Sequence, residues 1–145
     1  MKKNTVQLQH VTLGAGMPKI CVPVMGKKLR ELEAAALAAR EQADLIELRL
    51  DSVSPEIDAD ELCAVCRALR EKAQGTALLA TMRTVRDGGA GDADGARYEA
   101  LLTTLAKAHV CDALDAELSV GEDAFARIVK AAHATGVPVV GSFHD

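Results

Sequence analysis

Hydrophobic and polar positions along the chain follow two rhythms that alternate with each other. Five runs are apolar or alternate with a period of two: 19–25 (KICVPVM), 45–51 (LIELRLD), 77–83 (ALLATMR), 111–119 (CDALDAELS) and 137–144 (VPVVGSFH). Between them, apolar residues recur three and four apart, the spacing of one helix face. Over 29–42 the face is Leu29, Leu32, Ala36 and Ala39. Over 58–74 it is Leu62, Val65, Cys66 and Leu69, preceded by Asp58 and Glu61 at capping-box spacing. Over 96–109 it is Tyr98, Leu101, Leu102 and Leu105. Over 121–135 it is Phe125, Ile128, Val129 and Ala132, with Gly136 and Pro138 as the stop.

Strand and helix in strict alternation predict a parallel sheet with crossover helices. The 145 residues suit a single domain, 1–145, large enough to bury a core. Two architectures compete. A flavodoxin-like doubly wound sheet needs five strands and about this length. A (β/α)8 barrel needs eight strands and about 250 residues. Length favours the first and strand chemistry the second.

Residues two apart on a strand share a face. That pairs Glu47 with Arg49 opposite Ile46, Leu48 and Leu50, and Thr81 with Arg83. It also groups Asp115, Glu117 and Ser119, and Ser142 with His144. One face of each strand thus becomes ionisable toward its C-terminal end, where barrels and open parallel sheets place their sites. Buried charges must pair, meet water or meet a ligand. Two readings follow: a site for a small, polar, anionic molecule, or a structural ion-pair network. Arginine forks suit a carboxylate, Glu47 can accept from hydroxyls, and His144 can carry protons near neutral pH.

A net charge of −4 gives no electrostatic reason to expect nucleic acid or an anionic membrane. Two Phe, one Tyr and no Trp leave little to stack bases. No run is apolar enough to span a bilayer, and MKKNTVQLQH lacks the apolar segment of a signal peptide. Cys21, Cys63, Cys66 and Cys111 therefore read as reduced cytoplasmic thiols in or beside the core. Cys63 and Cys66 fall inside a helix, past its cap, where packing is the expected role rather than redox or metal chemistry. The run DGGAGDADG (87–95) lacks the marks of a phosphate loop or a calcium loop and reads as a mobile rim loop. His10, His109 and His133 suit surface positions. Lys27 and Lys28, after the first strand, read as solvated rather than nucleophilic.

Five segments together carry a resemblance: PKICVPVMGK (18–27), ELRLD (47–51), ALLATMRTVRDGG (77–89), CDALDAELSVGED (111–123) and VPVVGSFHD (137–145). In order and spacing they resemble type I 3-dehydroquinate dehydratase, over nearly the whole chain. The resemblance implies a (β/α)8 TIM-type barrel, present here as about five strands and four helices. It implies a hydro-lyase of the shikimate pathway that turns 3-dehydroquinate into 3-dehydroshikimate through a lysine Schiff base. No cofactor or metal is expected. Carried over by position, Glu47, Arg49 and Arg83 would bind substrate, and His144 would be the general acid/base. Asp87 stands where many members have a glutamate that orients the histidine, and it is one methylene shorter. Pro23 replaces a serine of some members and inherits no role. The Schiff-base lysine of the family belongs to a sixth strand, so no lysine of this chain is expected to fill that role, and the 145-residue form is expected to be inactive. The alternatives are a non-catalytic ligand-binding half-barrel and a flavodoxin-like binding domain. The family is usually dimeric, and two unpaired sheet edges would also favour self-association.

Overall fold

The computed structural model describes residues 4–144. The lysines of the MKK start and Asp145, the last residue of the S-x-H-D context, lie outside the described residues. The chain opens with an antiparallel hairpin of β1 (Val6–Leu8) and β2 (Val11–Leu13), then continues with β3 (Cys21–Val24) and α1 (Leu29–Ala39). It proceeds through β4 (Leu45–Arg49), α2 (Ala59–Lys72), β5 (Ala77–Thr81) and α3 (Gly95–Ala108). It finishes with β6 (Ala113–Glu117), α4 (Glu122–Ala134) and β7 (Val139–Ser142).

The five strands β3 to β7 form one parallel sheet in sequential order. A doubly wound sheet would interrupt that order, so the flavodoxin-like alternative falls. All four helices pack on the same side. Their apolar stripes, among them Leu32, Cys66, Leu69, Leu102, Leu105 and Ile128, join Ile46, Leu48, Leu78, Ala80, Leu114 and Ala116 of the sheet in one core. The fold is thus α/β, a partial barrel of the TIM type, with Glu47, Arg49, Asp115 and Glu117 on the face that the helices leave free.

The helix signals act as their sequence suggests. Asp58 Oδ1 accepts from the Glu61 amide at 2.9 Å and Glu61 Oε2 accepts from the Asp58 amide at 3.2 Å, closing the capping box. Helix α4 stops at Gly136, whose φ of +75° reverses the chain toward β7.

The pattern did not reveal the hairpin. Three-residue strands are too short to show a period, yet Leu8 and Val11 bury against Leu45, Ala77 and Ala113. Those three open β4, β5 and β6, so the hairpin plugs the N-terminal end of the free face. The polar C-terminal end stays open.

Candidate active site

Strands β4, β5 and β6 each lead into a short 3-10 turn (Leu50–Ser52, Val85–Asp87 and Leu118–Val120) before the next helix. The strands are therefore shorter than the polarity pattern suggested, and Asp51, Arg83 and Ser119 lie beyond them. Ser119 is not on the strand face with Asp115 and Glu117, because the chain has already turned.

Arg83 is the centre of a buried cluster. Its Nη1 donates to Glu117 Oε1 at 3.1 Å and to Ser142 Oγ at 2.8 Å, and Nη2 lies 3.0 Å from Asp115 Oδ1. Ser142 in turn donates to Asp115 Oδ1 at 2.8 Å. Glu117 also accepts from the Thr84 amide and hydroxyl at 2.8 and 2.7 Å, while Tyr98 Oη accepts from the Glu117 amide. Burial pushes the Asp115 carboxyl above its usual range, outweighing Ser142 and Arg83, which pull it down. At Arg83 burial works against the charge, but Asp115 and Glu117 prevail and raise its pKa. The ion-pair reading of the polar face therefore holds for these three strands.

Glu47 and Arg49 differ. Among the described residues half-buried Glu47 makes no hydrogen bond or ion pair. Arg49 uses one edge, Nε and Nη2, each 2.9 Å from an oxygen of Asp51, while Nη1 has no partner among the described residues. Its hydrogen bonds to Asp51 hold the guanidinium charge more firmly than usual. Two groups able to hold a polar ligand thus stand at the end of β4. His144 is exposed two residues beyond Ser142 and makes no hydrogen bond among the described residues. Asp87 is buried, and among the described residues its Oδ2 has no partner and no hydrogen bond links it to His144.

The Gly- and Asp-rich run departs from the expected mobile loop. Gly91 donates to Arg83 O at 2.9 Å, Gly89 to Thr84 O at 2.8 Å, and Ala90 to Asp51 Oδ2 at 3.2 Å. A Cβ on Gly89 would sit 2.1 Å from Arg83 O, so only glycine permits this close fold-back. Lys27 and Lys28 are exposed, as are His10, His109 and His133. Cys63, Cys66 and Cys111 are buried, but Cys21 is exposed, because it lies on an edge strand and faces away from the helices. Among the described residues no cluster of His, Cys, Asp and Glu could hold a metal ion, and no helix is long and apolar enough to cross a membrane. A cleft of about 820 Å³ opens between α2 and α3, walled by Ile57, Leu62, Leu101 and Asp51. It lacks Glu47, Arg83 and His144, so it is not the site their pattern defines.

The family profile described as Type I 3-dehydroquinase matches residues 20–145. This chain belongs to that family. The 3-dehydroquinate dehydratase of Bacillus licheniformis is 37% identical over 144 residues, which are 99% of this chain and 57% of that protein. The enzyme of the same name from Escherichia coli O9:H4 is 34% identical over 98% of this chain and 57% of its own length. Among solved structures, type I 3-dehydroquinate dehydratase from Clostridium difficile superposes with a TM-score of 0.93 at 32% identity, over 99% of this chain and 57% of that one. The Enterococcus faecalis 3-dehydroquinate dehydratase gives 0.90 at 31% identity, over 97% and 59%. This type I 3-dehydroquinase chain thus spans somewhat more than half the length of the relatives it matches.

Proposed function

We propose that residues 1–145 supply the substrate-holding and proton-transferring side of a 3-dehydroquinate dehydratase site, acting in the shikimate pathway. The observation that carries this is the pair of groups at the end of β4 left unsatisfied among the described residues: Glu47 without a partner and Arg49 with one edge free. A family with relatives named for this reaction makes 3-dehydroquinate the ligand that fits them.

In this reading the ketone forms an imine with a lysine from outside these residues. The cationic imine draws electrons from the neighbouring carbon and acidifies it. His144 takes that proton and returns it to the departing hydroxyl, which leaves as water. Arg49 holds the polar substituents by its free edge, Glu47 accepts from ring hydroxyls, and Arg83 joins them by exchanging its Ser142 contact for substrate. Asp87 supports His144: its unpartnered Oδ2 is an acceptor available to the imidazole once the two approach. The account requires no metal or cofactor. A biosynthetic role of this kind belongs in the cytoplasm, and the open edges of β3 and β7 favour self-association.

The binding-only half-barrel is the second reading, favoured by the engagement of Arg83 with three protein groups. Turnover separates the two. Alone, residues 1–145 are expected to give no 3-dehydroshikimate and no borohydride-trapped adduct with 3-dehydroquinate. Fused to the lysine-bearing remainder of a relative, they are expected to turn over, and His144→Ala to abolish it. A folded fusion with its lysine intact and no turnover would overturn the enzymatic reading.

A further inference from the structure

Asp51 sits in the turn after β4, its side chain only 2% exposed, yet its carboxylate accepts four hydrogen bonds. Oδ1 takes Arg49 Nε at 2.9 Å and the Arg83 amide at 3.2 Å. Oδ2 takes Arg49 Nη2 at 2.9 Å and the Ala90 amide at 3.2 Å. One carboxylate therefore joins the ends of β4 and β5 to the glycine-rich turn. Both oxygens are saturated, and burial alone would push this carboxyl up, but Arg49 and the two amides outweigh it and hold it below the usual range.

The geometry at Arg49 is asymmetric. A guanidinium is planar, with donors on two usable edges. Asp51 occupies the Nε/Nη2 edge in a two-bond fork, which fixes the plane as well as the position. Nη1 on the opposite edge has no partner among the described residues, and the side chain is 22% exposed. A lysine here would satisfy Asp51 with one rotatable ammonium and would leave no oriented second edge.

We propose that Asp51 is a positioning residue: its fork on Arg49 aims the free Nη1 edge at the ligand, while the Arg83 and Ala90 amides hold the carboxylate itself in place. This rests on the reading of Arg49 as a substrate arm. A positioning role predicts coupling, because the effect of Asp51 on binding must pass through Arg49. A merely structural carboxylate would weaken binding by the same factor whether or not Arg49 were present.

The test has two arms. In the first, the Nε–H of Arg49 is followed by 15N NMR without ligand. The account predicts a protected signal that exchanges slowly, and its loss in Asp51→Asn. In the second, 3-dehydroquinate affinity is measured for Asp51→Asn, Arg49→Met and the double variant. Asp51→Asn is expected to weaken binding roughly tenfold when Arg49 is present and less than twofold when it is absent, as loss of a charged hydrogen-bonding partner implies. Equal factors in both backgrounds, or an Nε–H signal indifferent to Asp51→Asn, would overturn the proposal. Absence of any 3-dehydroquinate binding would reject the substrate reading instead, with the Nε–H arm still deciding whether Asp51 grips Arg49. Should Asp51→Asn fail to fold, Arg49→Lys tests the same fork with Asp51 intact, and affinity retained within twofold would overturn the proposal.

Discussion

Replacing Arg83 with methionine would leave two buried carboxylates facing each other with no cation between them. Methionine keeps an unbranched apolar stem, so the change removes charge and donors more than packing. The side chains of Arg83, Asp115 and Glu117 are 9%, 6% and 1% exposed, so water cannot replace what is lost. Breaking a buried pair by removing one partner costs about 3–5 kcal/mol. Glu117 keeps Thr84 and Asp115 keeps Ser142, which places Arg83→Met near the lower end, about 3 kcal/mol at pH 8. The cost should also depend on pH. The Asp115 carboxyl already sits above its unfolded value, so protonation favours the folded state: that stability is present below the unfolded pKa and fades as pH rises through the folded one. Removing Arg83 takes away an attraction that pulls this pKa down, so the folded value climbs further. The penalty is therefore largest at pH 8 and shrinks toward pH 5. Urea unfolding followed by circular dichroism at both pH values measures it. A loss below about 1 kcal/mol at pH 8, as for an exposed pair, or a loss equal at both pH values, would refute the reasoning.

Other outcomes follow from the same contacts. Of four cysteines, Cys21 alone should react rapidly with a disulfide reagent in the native protein, since burial shields Cys63 and pushes Cys66 and Cys111 up to about 12; kinetics with two or more fast thiols would contradict this. Gly89→Ala should lower the urea midpoint more than Gly88→Ala, because the first drives a Cβ onto Arg83 O whereas the second meets nothing and carries only the left-handed backbone cost of about 1 kcal/mol; the reverse order would mean that the fold-back is not fixed. Light scattering of residues 1–145 across a concentration series should show self-association, because β3 and β7 each have one unpaired side and Met25 and Phe143 are exposed; a clean monomer with sharp melting would refute it.

The sequence disclosed the architecture through period: five strand-like runs and four helical stripes were legible because each helix spans several turns and each strand run is apolar or alternates with a period of two. The short N-terminal hairpin was invisible for the opposite reason, since Leu8 and Val11 become apolar contacts only once the sheet exists. The polar face was legible as well, Ser119 excepted because the chain turns after Glu117, but not how charge divides among its residues. Alternation put Arg83, Asp115 and Glu117 on one side without saying that they neutralise one another, because pairing depends on the lateral register of β5, β6 and β7. Asp51 closes the ELRLD segment two residues past Arg49, in step with the polar face, but alternation does not show that it grips Arg49: only the 3-10 turn after β4 folds it back onto the guanidinium. The distance from Asp87 to His144 depends on two turns whose packing no local pattern encodes.

The central claim, that the free face at the strands' C-terminal ends holds the substrate, is tested most directly by titrating 15N-labelled protein with 3-dehydroquinate. The account predicts saturable shifts centred on Glu47, Arg49, Arg83 and His144, with Lys27, Lys28 and the cleft between α2 and α3 unaffected. Shifts confined to that cleft, around Ile57, Leu62 and Leu101, or no saturable shift at any concentration, would contradict it.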